Sequence, residues 1–159
     1  MKATTETLPA VLAEIENARP AATALISFCR SVLAPPSDAA VNFGHCFALL
    51  SQYPAVYQTE GLKGGELEVM QQLKRRMRAD WIEDLADVPE WAVRHACREW
   101  RRSSKGEWRP KISDILHLAN SALAPFRAQL LDGERKLDHA RLEARRQAHF
   151  AAEHARVYG

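Results

Sequence analysis

The sequence predicts an all-α fold, a compact helical bundle of about five to six helices with a long C-terminal helical extension. Apolar residues recur at spacings of three and four through most of the chain, prolines and glycines punctuate those stretches, and no alternating run is long enough to build a sheet.

A first amphipathic helix opens at Thr7 and Pro9 and runs to about Arg19, with Leu8, Val11, Leu12 and Ile15 at helical spacing. Pro20 marks a break. Ala24, Leu25, Phe28, Cys29 and Val32 then give a second helix that ends before the stiff pair Pro35 and Pro36. Ser37 is the expected N-cap of a third helix. There Val41, Gly44, Phe47, Ala48 and Ser51 lie near one face and Phe43, Cys46 and Leu50 near an adjacent one, so this helix is apolar around much of its girth and expected in the core. Gln52 to Gly65 reads as a loop, and a fourth helix starts near Glu66 with Leu67, Met70, Leu73, Met77, Trp81 and Leu85 on one stripe.

The stretch from Trp81 to Leu118 holds all four tryptophans. Asp87 is the expected N-cap of a fifth helix, Pro89 suits its first turn because the missing N–H would be unpaired there, and Glu90 stands where a capping box needs it. Ala92, Val93, Ala96, Cys97 and Trp100 form its apolar stripe, while Arg94, Arg98, Arg101 and Arg102 fall on another face. Ser103 to Gly106 is a loop, after which Trp108 and Pro110 lead into a helix with Ile112, Ile115, Leu116 and Ala119 facing inward. Pro125 is expected to bend or interrupt it, and Asp132 with Gly133 is a second weak point. From Glu134 the pattern is charged and alanine-rich, with Leu137, Ala140, Ala144 and Ala151 as a thin seam; a solvated helix is expected, a weak coiled coil or partner-binding helix being the sharper alternative. Three segments result: 1–36, an N-terminal helical pair; 37–124, a helical core; and 125–159, a charged extension.

With 22 basic and 20 acidic residues the net charge is +2, so no global excess argues for nucleic acid. The three cysteines, Cys29, Cys46 and Cys97, are odd in number, far apart and set in apolar helical patterns, which fits free thiols in a reducing compartment, the cytoplasm by expectation. Neither a secretion signal nor a run of apolar residues long enough for a membrane span is recognisable.

No phosphate-cradling glycine loop of the GxxxxGK[ST] or GxGxxG type occurs, and no nucleophile can be matched to a base by motif. His45 with Cys46 and His95 with Cys97 lack the spacing of zinc ligands, and the Glu83, Asp84, Asp87 cluster is accounted for by helix-end solvation and capping. Neither catalysis nor a cofactor nor a metal is expected. The candidate residues are instead those of a binding surface. Trp100 belongs to the core stripe; Trp91 departs from it and Trp108 lies in a loop, so both can take part in recognition. Between them and beyond, Arg94, Arg98, Arg101, Arg102, Lys105, Arg109 and Lys111 face only Glu99 and Glu107, a local cationic excess suited to phosphates or an acidic partner, with a solvated face as the alternative. Arg141, Arg145 and Arg146 extend the candidate partner or nucleic-acid surface to the C-terminal helix.

The order LLSQYPAVY, then W-x-x-x-L-x-D-V-P-x-W-A-V-x-x-A-C-x-x-W, then a basic loop, then WRPKISDIL resembles the helical domain of phage replicative-helicase loader/inhibitor proteins. The likeness covers about half the chain, from Phe43 to Ala119, and rests on Tyr53, Pro54, Trp81, Leu85, Asp87, Val93, Ala96, Pro110, Ile112 and Ile115. It implies a phage or prophage product that binds a DnaB-type helicase and regulates its loading, without catalysis of its own. The chain departs from the family in its N-terminal helices, its tryptophan-rich fifth helix and a tail that is helical where the family's is flexible.

Two functions are therefore expected of different classes. One is a helicase-binding adaptor acting through the C-terminal helix and the exposed face of the fifth helix, with self-association through that C-terminal helix as a further expectation. The other is a DNA-binding regulator that uses the helix, basic loop and helix of 89–119, although its connecting segment is longer than a helix-turn-helix turn.

Overall fold

The computed structural model describes residues 8–158, with side chains from Arg19 to Tyr158. All regular structure in this range is helical: α1 (Leu8–Leu33), α2 (Ala40–Leu50), α3 (Gly64–Asp84), α4 (Glu90–Arg102) and α5 (Ile112–Tyr158). The described chain divides into two compact units, one of residues 33–124 and one that joins α1 to the part of α5 from Pro125 onward. The segments expected to stand apart as an N-terminal pair and a C-terminal extension thus belong together.

In the 33–124 unit, α2 packs chiefly on α4 and also on α3. One core collects Phe43, Cys46, Leu49 and Leu50 of α2, Trp81 and Leu85 near the end of α3, Val93, Ala96, Cys97 and Trp100 of α4, and Ile115, Ala119 and Leu123 of α5. The apolar stripes of α4 and early α5 are the ones their spacing predicts. At its centre lies one buried polar side chain, Asn42, whose Nδ2 donates to the carbonyls of Leu85 and Val88 at 2.8 and 2.7 Å. The Leu85 carbonyl stands at the C-cap of α3, where it also accepts from the Val88 N–H at 3.1 Å, and the Val88 carbonyl lies in the turn before α4, so Asn42 ties down the α3–α4 turn from inside the core. Cys46 and Cys97 meet in the same core with sulfurs 3.8 Å apart. The hydrogen bond with Cys97 and then burial push the Cys46 thiol up, whereas the hydrogen bond from Cys46, aided by the Arg101 charge and opposed by burial, lowers Cys97. Of the two thiols, Cys46 is therefore the one that holds its proton more tightly.

The expected helix caps are replaced by others. Ser37 does not cap α2; the Asp38 carboxylate accepts from the N–H of Ala40 at 2.9 Å. Neither Asp87 nor Glu90 caps α4, whose N-cap position is Pro89. Glu90 instead receives His45 Nε2 at 2.8 Å, which ties α4 to α2. At α5 the carboxylate of Asp114 accepts from the N–H of Lys111 at 2.8 Å, as the third residue of a helix does in a capping box.

In the other unit α1 is one helix, not two, and Pro20 lies inside it. Its start at Thr7 and the apolar side chains of Leu8, Val11, Leu12 and Ile15 fall outside the described residues and side chains. Pro125 likewise sits inside α5 without ending it. A proline fits helical φ but withholds one hydrogen bond and crowds the carbonyl four residues before it; Pro125 and Ser121, whose carbonyl loses that bond, are both exposed, so water can take the place of the lost donor. Packing of α1 on the later part of α5 offsets the cost. Ile26 and Cys29 are buried there, the rings of Phe28 and Phe126 lie 6.4 Å apart, and Arg30 pairs with Glu134 at 3.3 Å. Gly133, expected as a weak point, is a contact point: a Cβ there would stand 3.1 Å from Ile26 Cγ1. Among the described residues no helix is long and apolar enough to cross a membrane.

Candidate functional site

The 33–124 unit carries a groove of about 650 Å³ that the sequence analysis missed. Its floor is apolar, built from Phe43, Phe47 and Leu50 of α2, Tyr53, Val56 and Tyr57 of the following loop, and Met77 of α3. Its rim is cationic: Lys74, Arg75, Arg78 and Arg109 line it, and no carboxylate does. Two sequence features produce this. The face of α2 that carries Val41, Gly44, Phe47, Ala48 and Ser51 is not core, as its apolar pattern leads one to expect, but exposed throughout. The run Lys74-Arg75-Arg76-Met77-Arg78 packs four cations into five positions of α3, and the helical turn sends Lys74 and Arg78 to one side. That run was the available signal. The Arg78 guanidinium lies over the Phe43 ring, 5.7 Å from its centroid, and Lys74 Nζ reaches Thr59 Oγ1 at 3.4 Å.

The groove wall is held by the loop that precedes α5. Tyr53 donates its hydroxyl hydrogen to the carbonyl of Gly106 at 2.7 Å. Arg109 Nη1 lies 3.2 Å from the carbonyls of both Leu50 and Pro54. Trp100 Nε1 donates to the carbonyl of Trp108 at 3.0 Å. Gly106 is required by close approach, because a Cβ would come within 2.7 Å of the Arg101 carbonyl oxygen.

The expected candidates divide accordingly. Arg109 Nη1 is engaged by the backbone carbonyls of Leu50 and Pro54, so this candidate has a structural role as well. Arg94, Arg98, Arg101, Arg102, Lys105 and Lys111 are exposed, and among the described residues none of them forms a salt bridge; Arg98 lies 3.5 Å from His95 Nδ1. Arg94, Arg98 and Arg101 fall within about 60° of one another around α4, a single cationic stripe. Trp108 is 72% exposed and Trp91 37%, while Trp81 and Trp100 are buried. On the later part of α5, Arg141 and Arg146 pair with Asp138 at 3.7 Å and Glu143 at 3.2 Å along the helix, and Arg145 is exposed. Exposed pairs of this kind are weak and leave the arginines available to a partner.

Among the described residues no three His, Cys, Asp or Glu side chains converge as metal ligands would. The groove offers apolar contact with positive charge at its rim, and the α4 stripe offers positive charge. Compared with known proteins, the chain matches no family model, no curated protein and no solved structure.

Proposed function

We propose that the chain is a non-catalytic adaptor, a phage or prophage replication protein that binds a DnaB-type helicase and regulates its loading. One observation carries this. Of the positions on which the resemblance to helicase loader/inhibitor proteins rests, Trp81, Leu85, Val93, Ala96 and Ile115 share one core, and Tyr53 and Ile112 pack against it. The recurring residue order thus corresponds to a single folded unit, and the surface of that unit is equipped for protein recognition. Free buried thiols suit work in the cytoplasm. Purified chain mixed with a DnaB-type helicase and followed by size-exclusion chromatography with light scattering is expected to give a complex that survives raised salt. The mass of the chain alone reports self-association through the C-terminal helix. Absence of any helicase complex at either salt concentration would count against the adaptor.

A second function, DNA binding, is favoured by the exposed stripe of Arg94, Arg98 and Arg101 with Arg102 and Lys105 beside it. Replacing Arg98, Arg101 and Arg102 with alanine separates the two. Duplex affinity that is salt-dependent and lost in this variant supports DNA binding, whereas unchanged affinity removes the stripe from consideration.

A further inference from the structure

The groove along α2 presents an unusual pairing of an open apolar floor with a rim of one charge sign. Phe47 and Val56 are 59% and 56% exposed, so a small molecule lying on them would remain largely in water, short of the burial that ligand pockets provide. A polypeptide laid across the groove covers both. Three cations, Lys74, Arg75 and Arg78, border the floor without a carboxylate in the lining, and Arg109 is already held by the carbonyls of Leu50 and Pro54. The charge that complements this rim is negative.

We propose that the groove takes an acidic peptide segment of the partner, which lays a large apolar side chain on Phe43, Phe47, Tyr53 and Met77 and sets carboxylates against Lys74, Arg75 and Arg78. This rests on the adaptor function above and names the chemistry that the partner presents. The apolar anchor supplies affinity through burial, and the rim selects against basic segments through like-charge repulsion. The cationic stripe of α4 plays no part in it.

The test uses the full chain and fluorescence anisotropy with three labelled peptides. The first alternates leucine and phenylalanine with glutamate, the second has lysine in place of each glutamate, and the third has alanine in place of each apolar residue. The first is expected to bind, with the other two weaker by about tenfold or more. Phe47→Ala, and separately the pair Arg75→Glu and Arg78→Glu, change exposed side chains and are expected to weaken the first peptide by about tenfold while circular dichroism shows an intact fold. Failure of the first peptide to bind, equal binding of the lysine peptide, or undiminished binding by both variants would overturn the proposal. The same variants mixed with the helicase keep the two ideas apart. A helicase complex that both variants retain removes the groove and leaves the adaptor standing, whereas peptide binding without any helicase complex leaves the groove and removes the helicase as partner.

Discussion

Tyr53 and Gly106 are joined by a hydrogen bond of 2.7 Å between a loop that follows α2 and a loop that precedes α5. The tyrosine is half-buried, and its ring packs against the core while its hydroxyl satisfies a backbone carbonyl. Removing only the oxygen, as in Tyr53→Phe, is expected to cost about 1 kcal/mol, the net worth of one such bond. Gly106→Ala is expected to cost more, since its Cβ would press on backbone oxygen that cannot move aside. Urea unfolding followed by circular dichroism should rank the midpoints wild type, Tyr53→Phe, Gly106→Ala in falling order.

Asn42 is the stronger test of how the core is assembled. Asn42→Leu keeps the volume but takes the side-chain donor from the buried Val88 carbonyl and leaves the Leu85 carbonyl with the Val88 N–H alone, and a loss of about 1–3 kcal/mol is expected from one unsatisfied group. A midpoint close to wild type would mean that water reaches these carbonyls.

Gly133 addresses the other unit. A Cβ at 133 would already crowd Ile26 Cγ1 at 3.1 Å, and the further carbons of a leucine add to that, so Gly133→Leu should push α1 away from α5. Hydrogen exchange is expected to speed up for amides of residues 20–33 and to stay unchanged for 40–102. Equal acceleration in both ranges would show that the substitution acts on the whole chain.

The thiol pair gives an alkaline signature. The Cys46 thiol is raised above its ordinary value of 9.0, so the folded chain holds a proton there that the unfolded chain releases. Its contribution is complete below that value and fades as the pH climbs past it. The lowered thiol of Cys97 acts in the opposite sense and matters only below it. Under reducing conditions and above the ordinary thiol range, the urea midpoint of wild type should fall more steeply with pH than that of the double variant Cys46→Ala, Cys97→Ala. Parallel curves would show that the pair does not hold its proton.

Much of this fold could be read from residue spacing. The stripe of Ala92, Val93, Ala96, Cys97 and Trp100 is buried as its period requires, and Trp108 is exposed as a loop position allows. Spacing failed where the outcome depended on what a helix meets. Val41, Gly44, Phe47 and Ala48 make as good an apolar face as Phe43, Cys46 and Leu50, yet only the second finds α3 and α4. Pro20 reads as a break and Pro125 as a bend or interruption because a proline's cost is local and visible, whereas the contacts of Ile26 with Gly133 and of Phe28 with Phe126 that offset it join residues about a hundred positions apart. The cations of 74–78 were overlooked beside the arginines of α4 because charge becomes a site only when an apolar floor lies next to it. No spacing rule reports that Phe43 and Met77 bring one to them.

The environment of the indoles has an optical consequence. Trp108 stands in solvent on a loop that carries Lys105, Arg109 and Lys111 against Glu107, whereas Trp81 and Trp100 are shielded. The net positive charge of that loop draws iodide and repels caesium, so an anionic quencher should reduce the Trp108 component of the emission more than its cationic counterpart does. Because Arg109 grips the carbonyls of Leu50 and Pro54, a polypeptide settling beside those residues would alter how freely iodide reaches the neighbouring indole. The unlabelled chain therefore carries its own lamp for watching occupancy in real time.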